Sequence, residues 1–214
     1  MDCNEDIKMI DMFNTHLSQC GVDYNIKCVR MNDREVSKIQ GFVGENQCHD
    51  VLGVKDGIPY ALVLTHNDEY IAYLSYSESR SNFTDEVKNW CDFESPVKGL
   101  AIEYMCTSKE YRKQGLMQLL TLVIITLAKR SGYEVVVAAT NAGSAHVLKK
   151  YFGFQIDKND PTTTFLHELC SFNFSLEINA KLDLSDTKQF EKTYKKFVMC
   201  SSAAGGRATR MSFY

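Results

Sequence analysis

The run Tyr111-Arg112-Lys113-Gln114-Gly115-Leu116-Met117 is the stretch best placed to do chemistry. An apolar, strand-like segment, Leu100 to Thr107, leads into polar residues, and Gly115 stands directly before the apolar segment Leu116 to Arg130. The first amides of a helix have no intrahelical partner and carry partial positive charge. A strand, a turn and a helix in that order therefore suit an anion, a pyrophosphate above all. Gly115, lacking a side chain, lets backbone and phosphate approach closely. Lys109, Arg112 and Lys113 add positive charge nearby, although solvated basic residues at a plain helix start would look the same. Strand alternation places Ala101, Glu103, Met105 and Thr107 on one face, opposite Leu100, Ile102, Tyr104 and Cys106. Glu103 is thus a carboxylate in an otherwise apolar face leading to the turn. Such a group can take the proton that an ammonium must lose before its nitrogen attacks an electrophile; pairing with a lysine or capping a sheet edge is the bland alternative.

Other chemistries find no support. The five histidines, at 16, 49, 66, 146 and 167, include no pair at the i, i+4 spacing of a helical metal site, and no metal is expected. There is no Gly-x-Ser-x-Gly nucleophile elbow. The eight cysteines contain no Cys-x-x-Cys pair, and the opening Met-Asp-Cys-Asn-Glu-Asp is acidic rather than apolar. Eight reduced thiols and a cytoplasmic location are the expectation. A net charge of −3 argues against nucleic acid as a partner. The most apolar stretch, Leu116 to Ala128, falls short of the roughly 20 residues a membrane span needs, so no membrane partner is expected.

The elements that must position these residues follow from periodicity and punctuation. Ile7, Ile10, Phe13 and Leu17 predict a helix over Asn4 to Gln19. A strand is expected from Tyr24 to Met31, a helix from Asp33 to about Gln40, and loop from Gly41 to Gly57. Tyr60 to Leu64 and Tyr70 to Tyr76, separated by Thr-His-Asn-Asp-Glu, predict an antiparallel hairpin. The polar region Ser77 to Pro96 carries an acidic excess able to attract a cation, though a solvated loop is the simpler reading. Leu116 to Arg130 predicts a helix buried on most sides, closed by Lys129, Arg130 and Gly132. Glu134 to Ala139 reads as a strand covered on both faces, parallel to Leu100 to Thr107. A short helix over Ala145 to Phe152 and a strand opening at Gly153-Phe154 come next, with one or two strands between Phe165 and Leu182.

This order of elements resembles the GNAT superfamily of acyl-CoA-dependent N-acetyltransferases. Their Arg/Gln-x-x-Gly-x-Gly/Ala signature follows a strand and opens a helix; Arg112 and Gly115 match it, and Met117 stands where the family usually has Gly or Ala. Asn141-Ala142-Gly143-Ser144, then Val147-Leu148-Lys149-Lys150 and Tyr151-Phe152-Gly153-Phe154, resemble the family's next conserved element, one residue longer than usual. The resemblance is strongest over 100–154.

The resemblance implies an α/β, GNAT-like three-layer fold: a mixed central β-sheet with helices on both faces, in one domain over 1–198. The small, polar, glycine-rich stretch 199–214 is expected to be a flexible tail. The resemblance also implies transfer of an acetyl group from acetyl-CoA, as co-substrate, to a primary amine of a small molecule or protein, in a monomer or homodimer. Backbone groups of Gln114, Gly115, Leu116 and Met117 would hold the pyrophosphate beside Arg112 and Lys113. Met105 and Thr107 would pair with the pantetheine arm as an added strand does, with Asn141 and Ser144 completing the cofactor site. Glu103 is the candidate base. The family's frequent general-acid Tyr falls at Lys149, leaving Tyr151, two residues on, as the candidate acid or a packing residue. Met117 and Lys149 keep open the alternative of a catalytically impaired acyl-CoA-binding module acting as sensor or scaffold.

Overall fold

The computed structural model describes residues 3–46, 60–77, 98–140, 142–156 and 178–203. Seven strands form one mixed sheet in the order β1-β2-β3-β4-β5-β7-β6. They are β1 (Asn25–Arg30), β2 (Tyr60–His66), β3 (Glu69–Ser77), β4 (Gly99–Thr107), β5 (Val135–Thr140), β6 (Gln155–Ile156) and β7 (Ile178–Asp183). The helices are α1 (Cys3–Gln19), α2 (Asp33–Asn46), α3 (Leu116–Arg130), α4 (Ala142–Val147), which runs into a π-turn at Leu148–Phe152, and α5 (Lys188–Ala203). The chain forms two compact units: Met1–Ser77 with Glu103–Leu127 and Tyr194–Tyr214, and Glu78–Ile102 with Ala128–Thr193.

In the first unit, β1, β2 and β3 pair antiparallel. Asn67 and Asp68, at φ 51° and 62°, join β2 to β3. Two left-handed central residues match the right-handed twist of the strands, so this two-residue turn closes the expected hairpin. Ile39, Phe42 and Val43 of α2 pack on Ala61, Val63, Tyr73 and Cys106, which α2 thereby covers. Tyr70 donates a hydrogen bond to the Glu35 carboxylate, which also pairs with Lys38 at 3.0 Å. The helix runs through Gly41 and Gly44 to Asn46, beyond the expected end near Gln40. Burying Phe42 and Val43 outweighs the roughly 1 kcal/mol that each helical glycine costs.

The α3 helix occupies the span predicted for it and is buried on nearly every side; Leu119, Leu120, Leu122, Val123, Ile124 and Ile125 are each at most 1% exposed. Its two threonines are tolerated there because Thr121 and Thr126 donate to the carbonyls of Met117 and Leu122, both at 2.8 Å.

In the second unit, Gly99–Ile102 of β4 pair parallel with Val135–Ala138 of β5, as expected, and β7 lies antiparallel to both β5 and β6. The α5 helix was not anticipated and continues past residue 199, where the sequence suggested a tail. Lys129 ties its start to α3, donating to Thr187 at 2.8 Å and lying over the Phe190 ring. The acidic region noted between residues 78 and 94 lies outside the described residues, as does Asn141.

The expectation of eight reduced thiols fails at Cys106, which is disulfide-bonded; the second sulfur lies outside the described side chains. Spatial approach, not Cys-x-x-Cys spacing, decides pairing. Cys20 and Cys28 carry thiols. Among the described residues no helix is long and apolar enough to cross a membrane, and no group of three or more His, Cys, Asp or Glu could hold a metal ion.

Gly153 ends the π-turn at φ 84°, its N–H donating to the Lys149 carbonyl. A Cβ there would sit 3.1 Å from Gln189 Cβ, and Gln189 is held by its own bond to the Lys150 carbonyl. Gly153→Ala is therefore expected to lower unfolding stability by about 1–2 kcal/mol, the ordinary cost of a left-handed non-glycine residue; thermal denaturation measures it.

Candidate cofactor turn and base

The turn between β4 and α3 is built around two left-handed residues, Lys113 at φ 62° and Gly115 at φ 82°. Gly115 adopts this without a Cβ penalty, whereas Lys113 does not, and a non-glycine residue keeps such a conformation only where its surroundings enforce it. The first intrahelical hydrogen bond of α3 runs from the Leu119 N–H to the Gly115 carbonyl, at 2.9 Å. The amides of residues 116–118 therefore precede the helical ladder and face the turn with the positive end of the helix dipole. Lys109, Arg112 and Lys113, all exposed, bring three cations against the one carboxylate of Glu110. Geometry and charge together make an anion cradle.

Two of the residues named from sequence, Met105 and Met117, are joined through the Thr121 hydroxyl. Thr121, one turn into α3, donates to the Met117 carbonyl at 2.8 Å and approaches the Met105 sulfur at 3.8 Å. Met105 is thereby registered against the first turn of the helix, on the strand face opposite Cys106 and the α2 packing. Arg112, exposed and charged, also ties backbone segments together. Its Nη2 donates to the Asn46 carbonyl at 2.7 Å, and its Nε to the Thr107 carbonyl at 3.3 Å. The guanidinium thus clamps the end of α2 to the turn, and Thr107 already spends part of its carbonyl on that clamp.

Asn46 is the centre of this clamp and had no signal in the sequence, where it fell in expected loop. It is 8% exposed; its Oδ1 accepts the Lys109 N–H at 2.9 Å and its Nδ2 donates to the Phe42 carbonyl at 2.8 Å.

Glu103, half-buried on β4, accepts a hydrogen bond from Ser77 Oγ at 2.5 Å. Ser77 is 1% exposed and ends β3, so a buried hydroxyl fixes the carboxylate in place. The strand pattern could not supply this partner, 26 positions away. Ser144 and Tyr151 belong to the second unit. Ser144 lies half-buried in α4. Tyr151 is buried in the π-turn, its carbonyl accepting from Thr193 Oγ1 and its ring covered by Lys150.

The profile of the Acetyltransferase (GNAT) family matches residues 30–154. The chain belongs to this family. A search of curated protein sequences gives no match. Among solved structures, the fold is similar to an uncharacterized protein from Bacillus halodurans, with 16% identity over 82% of this chain and 91% of that one and a TM-score of 0.57. It is also similar to a mosquito (Aedes aegypti) protein described as arylalkylamine N-acetyltransferase 7, with 12% identity over 75% and 87% and a TM-score of 0.55. A third likeness is to a protein from Desulfovibrio desulfuricans described as a GNAT-family acetyltransferase, with 9% identity over 74% and 99% and a TM-score of 0.52.

Asn46→Ala is expected to cost about 1–3 kcal/mol of stability, because the Lys109 N–H loses its acceptor and the end of α2 loses a bond. Denaturant titration measures this cost, and an unchanged midpoint would remove Asn46 from the centre of the clamp.

Proposed function

We propose that the protein transfers an acetyl group from acetyl-CoA to a primary amine. The observation that carries this reading is the turn itself. Left-handed Lys113 and Gly115 open a buried helix whose first amides precede its hydrogen-bond ladder, beside three cations. These groups suit a pyrophosphate, and membership of the Acetyltransferase (GNAT) family makes the pyrophosphate of CoA the apt ligand. In this reading the amides of Gln114, Gly115, Leu116 and Met117 hold the phosphates, and Lys113 supplies charge. The backbone near Met105 and Thr107 lies along the pantetheine arm.

Glu103 is the proposed base. An alkylamine has a pKa near 10, so at neutral pH nearly all of it is ammonium. The carboxylate takes that proton, directly or through one water. The free nitrogen attacks the thioester carbonyl, a C–N bond forms, the C–S bond breaks, and the departing thiolate takes up the second proton that the nitrogen sheds. Ser77 assists by holding one carboxylate oxygen, leaving the other for the proton. Tyr151 is not needed as an acid in this scheme, since a thiolate is a good leaving group near neutral pH.

The test is a panel of amines with acetyl-CoA, read by release of free CoA thiol. A module that binds acyl-CoA without catalysis would bind acetyl-CoA and release thiol with none of them. With an amine that turns over, Glu103→Gln is expected to lower kcat about a hundredfold at pH 7 while leaving the KM for acetyl-CoA unchanged. Activity should partly recover at high pH, where the free amine is abundant. Unchanged kcat at pH 7 would place the base elsewhere.

A further inference from the structure

Beside the cofactor turn stands a group of rings that the proposed chemistry does not use. Tyr24, immediately before β1, meets His66, at the end of β2, with ring centroids 5.6 Å apart and planes at 77°. Tyr24 also meets Tyr111 at 6.2 Å and 70°. His66 and Tyr111 close the triangle at 5.9 Å and 73°, and their Nδ1 and hydroxyl share a hydrogen bond of 2.8 Å. Edge-to-face pairs at these distances are attractive beyond the area they bury, so the three rings brace one another.

The brace reaches the turn through one side chain. Tyr24 Oη donates to Gln114 Oε1 at 3.1 Å, and Gln114 Nε2 donates to the Glu110 carbonyl at 3.3 Å. The Gln114 amide group is thus held at both ends, by Tyr24 at the start of β1 on one side and by the short helical turn Lys109–Tyr111 on the other. Gln114 itself lies between the two left-handed residues, Lys113 and Gly115. A left-handed lysine needs surroundings that enforce it, and Gln114, pinned at the next position, supplies them. Burial, and then the neighbouring Tyr111, push the Tyr24 phenol upward from its ordinary value, so it remains a donor across the physiological range.

We propose that Tyr24, braced by His66 and Tyr111, is a positioning residue for the cofactor: through Gln114 it pre-sets the turn whose amides receive the pyrophosphate. This rests on the acetyl-CoA reading above. It assigns a role to Tyr24, 90 positions from Gln114, and to His66, 45 positions from Tyr111.

The test compares acetyl-CoA with S-acetylpantetheine, which lacks the 3′-phospho-ADP part that carries the pyrophosphate. Tyr24→Phe keeps the ring and removes the hydroxyl. It is expected to weaken acetyl-CoA binding about fivefold, the worth of one hydrogen bond. It should leave kcat with saturating acetyl-CoA and kcat/KM with S-acetylpantetheine unchanged, and lower the unfolding midpoint by no more than the loss of one hydrogen bond. In a Gln114→Met background, Tyr24→Phe should have no further effect. Undiminished affinity for acetyl-CoA, an equal loss with both donors, or full additivity with Gln114→Met would overturn the proposal while leaving the function intact. A parent protein that fails to bind acetyl-CoA at all would overturn the functional reading, and this proposal with it.

Discussion

The burial of α3 is the constraint on which the rest depends. A helix exposed at most 1% along Leu119, Leu120, Leu122, Val123, Ile124 and Ile125 cannot rotate or slide without opening a close-packed core. Its N-terminus is therefore a fixed point. The chain must leave β4, pass through two left-handed residues and enter this helix, and the direction of the amides at residues 116–118 follows. An anion site made of backbone amides needs this fixity, because amides that reorient freely offer an anion no more than water does.

Three sets of contacts hold the turn against that fixed point. Thr121 bonds back to Met117 and touches Met105, setting β4 in register with the helix. Arg112 and Asn46 fasten the end of α2 to the far side of the turn. Tyr24 holds Gln114 from the start of β1. Arg112, one of the cations that charge would assign to the ligand, also donates to two backbone carbonyls. The positive character of the turn comes from the helix amides and from Lys109, Arg112 and Lys113. Helix amides impose direction on a ligand, whereas flexible lysines supply mainly field strength.

What the sequence made legible was local. The α3 helix was readable because thirteen mostly apolar residues are followed at once by Lys129, Arg130 and Gly132. The hairpin was readable because two alternating runs flank a short polar turn, and the turn into α3 because strand, glycine and helix follow directly in the chain. Where a local rule met a tertiary demand, the demand won: Gly41 and Gly44 suggested loop, yet α2 continues through them to bury Phe42 and Val43. The α5 helix escaped notice although Phe190, Thr193 and Phe197 recur on one buried face, because its lysines masked the period. Asn46, Ser77 and Tyr24 were invisible for another reason. Their partners, Lys109, Glu103 and Gln114, are 63, 26 and 90 positions away, and no spacing rule connects them. The Cys106 disulfide likewise escaped any rule of spacing.

The central claim is that the amides at the start of α3 receive the pyrophosphate of acetyl-CoA. Backbone amide NMR during an acetyl-CoA titration tests it most directly, because each N–H reports separately. The account predicts that the largest shifts fall on residues 113–118, with smaller ones along the end of β4, and that S-acetylpantetheine leaves residues 113–118 nearly unmoved. Shifts confined to other parts of the chain, or no shifts at millimolar acetyl-CoA, would contradict it.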